Sequence, residues 1–160
     1  MTIAVEELTG QGLVSADLFD RLVTRIAKEH DMKRELATRI VDQALAFLRA
    51  SGEYHRAPLG PSELVDIGWH TFILYTREYA DFCNNVVGKF IHHVPNDDGE
   101  GEADPTQVIT RTKDAIRDLG FAVDDDLWLA FNLTCNSGDK GCRSSGADGN
   151  ENTDTNTSDR

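Results

Sequence analysis

The chain has 160 residues, of which 28 are acidic and 16 are basic, and its formal net charge is −12. That length gives room for one domain and a tail. The excess of negative charge repels phosphate backbones and anionic lipids, so we expect neither nucleic-acid nor membrane partners. No apolar run approaches the roughly 20 residues of a membrane-spanning helix. Residues 1–10 lack the pattern of a signal peptide, which favours the cytoplasm.

The first half of the chain predicts two helices. Apolar residues recur at steps of three and four between Ser15 and His30, the spacing of one helix face. Ser15 is the candidate N-cap, since its hydroxyl can accept a free backbone N–H of the first turn. Asp31 is the candidate cap of a second helix, whose apolar stripe runs from Leu36 to Leu48. Gly52 is predicted to end that helix.

The second half predicts further helices separated by loops. Ser62 is the candidate cap of a third helix, and Thr76 of a fourth that ends at Gly88. No proline interrupts this stretch, so the sequence leaves open one continuous helix over residues 62–87. Residues 96–104 are acidic and predict a solvated loop. Asp104 and Pro105 then begin the last clear helix, followed by a closing apolar segment over residues 121–131.

These elements predict an all-α fold, a compact bundle of four to six helices with a disordered C-terminal tail. From residue 134 onward, 20 of 27 residues are Ser, Thr, Asn, Asp or Gly, so little apolar surface is available to offset the entropy of ordering. We expect a flexible N-terminus over residues 1–12, a helical domain over 13–133 and a disordered polar tail over 134–160.

Side chains that can carry chemistry concentrate between residues 66 and 95. The candidate zinc ligands are His70, Cys83, His92 and His93, which offer the nitrogen and sulfur atoms that zinc accepts. Because His92 and His93 are adjacent, the sequence leaves open whether one or both of them bind. Asp66 precedes His70 by four residues and is expected to orient its imidazole. Two aromatic residues are expected to wall the site: Trp69 and Tyr79.

This hypothesis places a condition on the fold. On one straight helix His70 and Cys83 would differ by about 220° of rotation and could not share a metal. The site therefore requires a break near Thr76. Simpler interpretations also stand: Cys83 as a small buried hydrophobe, His70 as a hydrogen-bonded core residue, and His92 and His93 at a loop edge. The three cysteines, Cys83, Cys135 and Cys142, are too few and too sparse for a disulfide framework.

The segment over residues 62–95 resembles the core signature of the glycine-rich domain-containing protein-like family, and specifically its short bacterial members. The matching residues are Asp66, Trp69, His70, Tyr79, Cys83, Gly88, Phe90, His92, His93 and Pro95. The resemblance implies a helical fold and favours a metal site, but it implies no particular reaction. This sequence departs from the pattern at Phe82, where an acidic residue is expected beside the cysteine, and Gly68 lies unusually in mid-helix.

Three functions are consistent with these features. The first is a helical binding or accessory domain with a His/Cys metal or ligand site and an unknown protein or small-molecule partner. The second is a thiol- or metal-dependent hydrolase that uses the same residues. The third is a precursor whose tail, with Cys135 and Cys142, is modified by partner enzymes.

Overall fold

The computed structural model describes residues 5–94 and 104–129. Five α-helices form the described part of the chain, which confirms the all-α fold predicted from the sequence. They are α1 (Ala16–Glu29), α2 (Arg34–Glu53), α3 (Glu63–Leu74), α4 (Thr76–Phe82) and α5 (Pro105–Asp118). The predicted acidic loop, Phe131 and the predicted tail lie wholly or largely outside the described residues. Within the described ranges, no helix has the length and apolarity that crossing a membrane requires.

Helix α2 is the centre of the bundle. Every residue from Val41 to Leu48 except Asp42 is buried, and α1, α3 and α5 all contact this helix. An α-helix that is apolar on nearly all sides must be surrounded by other elements, which explains why α2 lies in the middle. The shorter helices each bury one face against it.

Three of the predicted N-caps are present. The hydroxyl of Ser15 accepts from Leu18 N, that of Ser62 accepts from Val65 N, and the carboxylate of Asp104 accepts from Thr106 N. Each side chain satisfies a backbone donor that the first turn leaves free.

Three predicted helix boundaries were wrong. Thr76 does not cap α4, because it is the first residue of that helix and Tyr75 holds the N-cap position.

The other two boundaries are those of α2. Asp31 does not cap α2: it has a φ of 47° in the turn between the helices, and α2 begins after Lys33. Gly52 does not end α2, which continues to Glu53. Its lack of a side chain serves packing instead, because a Cβ there would lie 2.6 Å from the carbonyl oxygen of Val87.

The chain breaks at Tyr75, between α3 and α4. Its φ of −87° and ψ of 68° are not helical, so the predicted break near Thr76 is present and the continuous helix is not. Helix α4 passes into a π-helical turn over Cys83–Val87, and Gly88, at a φ of 92°, reverses the chain. The segment over residues 89–94 then returns along α3 and α4.

The two ends of the described chain meet beside α2. Leu8 pairs with the segment after α5, donating to Gly120 O and accepting from Ala122 N. A short 3₁₀ turn over Gly10–Leu13 lies against α2, and Gly10 is buried there. Contacts with α2 therefore begin at Gly10, inside the N-terminal stretch over residues 1–12 that was predicted to be flexible.

Candidate metal centre

Three potential metal ligands converge at the surface of α3. The Nε2 atoms of His70 and His93 are 2.7 Å apart. His93 Nε2 is 2.9 Å from Asp66 Oδ1, and His70 Nε2 is 3.4 Å from Asp66 Oδ2. The three residues thus direct lone-pair-bearing atoms at one small region, which we call the Asp66–His70–His93 cluster.

Helix α3 positions two of the three side chains. Asp66 and His70 are one turn apart and share a face, as their spacing predicted. Buried side chains of the same helix, among them Trp69 and Phe72, fix its rotation against the core. The Asp66 side chain is 14% exposed and that of His70 is 53% exposed, so solvent reaches the cluster.

His93 reaches the cluster from outside the helix. The phenol of Tyr79 donates to the carbonyl oxygen of Ile91 and accepts from Trp69 Nε1 at 3.0 Å, which anchors the segment two residues before His93. The ring of Trp69 also packs on the ring of His93, with centroids 4.3 Å apart. These two contacts place His93 over α3.

Burial is the largest influence on the Tyr79 phenol and raises its pKa well above the ordinary value. The hydrogen bond from Trp69 acts in the opposite direction, and the nearby Cys83 thiol adds to the rise. Tyr79 therefore keeps its proton and remains a hydrogen-bond donor to the Ile91 carbonyl.

The structure does not bring all four predicted ligands together. Cys83 is fully buried beside Tyr79 and is not part of the cluster. Although the chain bends where the hypothesis required, Cys83 directly follows α4 and is buried in the core, where Phe72 packs against both Tyr79 and Phe82. His92 is exposed, packs on Phe90 and also lies outside the cluster.

The spacing of the cluster is compatible with a bound metal ion. Ligand atoms on a tetrahedral zinc ion lie about 3.3 Å apart, since each is about 2.0–2.1 Å from the metal. The observed separations of 2.7, 2.9 and 3.4 Å need only a slight opening to reach that spacing.

A pocket of about 450 Å³ opens beside the cluster. His70 and His93 line it, together with the apolar residues Ile67, Ile73 and Leu74 of α3. Glu29 and His30, at the end of α1, also line it. Glu29 contributes a carboxylate there, which Arg25 Nη1 binds at 2.7 Å. Three ligands on one side and a pocket on the other are typical of a metal with an open coordination position.

Sequence reasoning missed two features of this site. Asp66 was predicted to orient His70, whereas its carboxylate lies within direct reach of both imidazoles; the four-residue spacing is equally typical of two ligands on one helix face. Glu29 and His30 lie at the pocket because the end of α1 meets α3. No local pattern indicates that approach.

A family model described as UCP032817-like matches residues 11–115. The matched region includes α1 to α4, the segment that carries His93 and most of α5. No curated protein and no solved structure matches the chain. The resemblance to the glycine-rich domain-containing protein-like family stays a prediction.

Proposed function

We infer that this chain, which belongs to the UCP032817-like family, is a small helical domain that binds one divalent transition-metal ion. The observation that carries the proposal is the convergence of one carboxylate and two imidazoles, with ligand atoms within 4.8 Å of one another. Asp66 and His70 would bind from α3, and His93 from the segment after Gly88. Tyr79 and Trp69 would hold His93 in place without touching the ion.

The donor set favours zinc. Two imidazole nitrogens and one carboxylate oxygen match the three protein ligands of many zinc sites that keep an open position. Imidazole-rich sites bind late first-row metals more tightly than manganese or iron, whereas magnesium and calcium prefer all-oxygen ligands. Bound zinc would act as a Lewis acid at the pocket, and the chain's residues would orient it and restrict access.

The test is the zinc content and zinc affinity of the full chain under reducing conditions. We expect one zinc ion per chain in the wild type. His93→Gln removes a ligand, so it should weaken binding by more than the about 10–100-fold that loss of an outer contact causes. Elemental analysis gives the stoichiometry, and competition with a chelating dye gives the affinity.

The neighbouring residue provides a matched control. His92→Gln makes the same chemical change one position away, and it should leave zinc affinity unchanged because His92 lies outside the cluster. Cys83→Ala should also retain zinc. If Cys83 were a ligand, as the sequence predicted, this variant would bind zinc more weakly. Absence of stoichiometric zinc in the wild type, or equal losses in His92→Gln and His93→Gln, would refute the proposal.

The second candidate is metal-dependent hydrolysis at the same site. The pocket beside His70 and His93 favours it, because a zinc ion held by these residues would be accessible to water and would supply the chemistry that activates it. The fully buried Cys83 gives no comparable support to a thiol nucleophile, which must be accessible. The modified-tail hypothesis concerns Cys135 and Cys142, which lie outside the described residues.

A further inference from the structure

A second pocket lies on the other side of the segment that carries His93. It has a volume of about 490 Å³, within the range of about 300–1,000 Å³ common for small-ligand sites. Residues after α2 form one wall and the segment after Gly88 forms the other. We call it the basic pocket because of four of its lining residues: His55, Arg56, Lys89 and His92.

The charge of the basic pocket is opposite to that of the chain. The protein has a net charge of −12, yet among the residues that the structure describes no aspartate or glutamate lines this pocket. Within residues 5–94 and 104–129, none of its four basic side chains forms an ion pair with a carboxylate. A concave surface lined by positive charge concentrates anions.

Local backbone contacts fix each of the two walls. Gly88, at a φ of 92°, turns the chain after the π-helical turn, and the Tyr79 hydrogen bond fixes the Ile91 carbonyl. Lys89 directly follows Gly88, and His92 directly follows Ile91. On the facing wall, His55 and Arg56 follow Tyr54, whose backbone N–H is bonded to the last turn of α2.

The rest of the lining is mostly apolar. It includes Phe47, Ala57, Pro58, Leu59, Trp69 and Ile91. A ligand that contacts both the four basic side chains and this apolar lining needs an anionic group and an uncharged organic group. Arg and Lys suit phosphate in particular, since the guanidinium can bind two oxygens and the ammonium adds a point charge.

We propose that the basic pocket binds a small phosphate monoester. Arg56 and Lys89 bind the phosphate, His55 and His92 each donate an imidazole N–H, and the organic group lies against the apolar wall. This site is separate from the metal centre, because His92 faces the basic pocket whereas the adjacent His93 joins the cluster. The proposal therefore holds whether or not the chain binds zinc.

The experiment is an NMR titration of the ¹⁵N-labelled full chain with phenyl phosphate and with inorganic phosphate. Metal is removed beforehand, and chloride keeps the ionic strength constant. We expect saturable amide shifts at residues 55–59 and 88–92, and tighter binding of phenyl phosphate than of inorganic phosphate. The double variant Arg56→Gln/Lys89→Gln should weaken phenyl phosphate binding by about tenfold or more.

A matched pair separates local contact from overall charge. The variant Lys28→Gln/Arg77→Gln also removes one lysine and one arginine charge, but from exposed positions that do not line the pocket. It should change the affinity for phenyl phosphate by no more than about twofold. All four replaced side chains are exposed, and neither variant removes core packing. Three results would overturn the proposal: no saturable shift, shifts centred on residues 66, 70 and 93 instead, or equal losses in the two double variants.

Discussion

At the scale of single residues, Tyr79 connects the core to the candidate metal centre. Its ring packs edge-on against Phe72, and its hydroxyl takes the indole N–H of Trp69 while donating to the Ile91 carbonyl. One side chain therefore satisfies a buried donor and fixes the backbone that carries His93. Removal of this hydroxyl leaves both partners unsatisfied, which costs more than the hydrogen bonds themselves contribute.

We expect Tyr79→Phe to lower the free energy of unfolding by about 1–3 kcal/mol near pH 8, measured by urea denaturation. The pH dependence has a definite sign. Because the folded state raises the pKa of Tyr79, the wild-type contribution is complete below the ordinary tyrosine pKa of about 10 and declines as the pH rises above it. The wild type should therefore lose stability more steeply than Tyr79→Phe above pH 10.

Tyr54→Phe is the control for this prediction. It removes a hydroxyl that makes no hydrogen bond within the described residues. Its effect on the free energy of unfolding should stay within about 0.5 kcal/mol. Equal destabilisation by the two variants would show that the Tyr79 hydroxyl has no special role.

At the scale of elements, the crossing of α2 and α3 determines where the metal centre lies. The two helices meet at Gly68, where a Cβ would be 2.7 Å from Ala44 Cβ and 3.1 Å from Ile40 O. This close contact explains a glycine in mid-helix, which costs about 1 kcal/mol relative to alanine in helix propensity. Gly68 lies between Asp66 and His70 in sequence. The close contact at Gly68 therefore also orients the face of α3 that carries these two residues.

We expect Gly68→Ala to lower the free energy of unfolding by about 1–2 kcal/mol, because overpacking at the crossing outweighs the gain in helix propensity. Thermal and urea denaturation both measure this change. Ala44→Gly removes the nearest opposing atom, so it should cost less stability in the Gly68→Ala variant than in the wild type. If Gly68→Ala is neutral or stabilising, the close packing of α2 against α3 is incorrect.

At the scale of the whole molecule, Gln43 joins the middle of the chain to its last described segment. This buried amide donates from Nε2 to Ala122 O, and its Oε1 accepts from Trp128 Nε1 at 2.7 Å and from Asp124 N at 3.1 Å. Arg39 binds the carboxylate of Asp124 nearby, at 2.6 and 2.8 Å. The closing segment is therefore held to α2 by polar contacts as well as by its apolar side chains.

We expect Gln43→Leu to lower the free energy of unfolding by about 2–4 kcal/mol, because the buried indole N–H of Trp128 and the backbone N–H of Asp124 both lose their acceptor. Tryptophan fluorescence during urea denaturation reports the change. Gln107→Leu makes the same substitution on the exposed surface of α5 and should have little effect. A similarly small effect of Gln43→Leu would contradict its connecting role.

The sequence by itself determined the helices, most of their caps and one side of the candidate metal centre. Apolar spacing, Ser15, Ser62 and the Asp104–Pro105 pair all act within a few residues, so local rules predict them. The four-residue interval between Asp66 and His70 likewise placed both on one face of α3. Gln43 and Gly68 show the limit of such rules, because each is explained only by a partner distant in sequence.

Only the tertiary structure decided which side chains complete the site. His92 and His93 are adjacent and chemically identical, and in an irregular segment the sequence does not indicate which of them faces α3. The choice depends on the hydrogen bond from Tyr79 to Ile91 and on packing against Trp69, contacts made between distant elements. Cys83 was excluded for a related reason. It directly follows α4, and its thiol is buried together with Tyr79 and Phe82 because burial of these side chains stabilises the bundle.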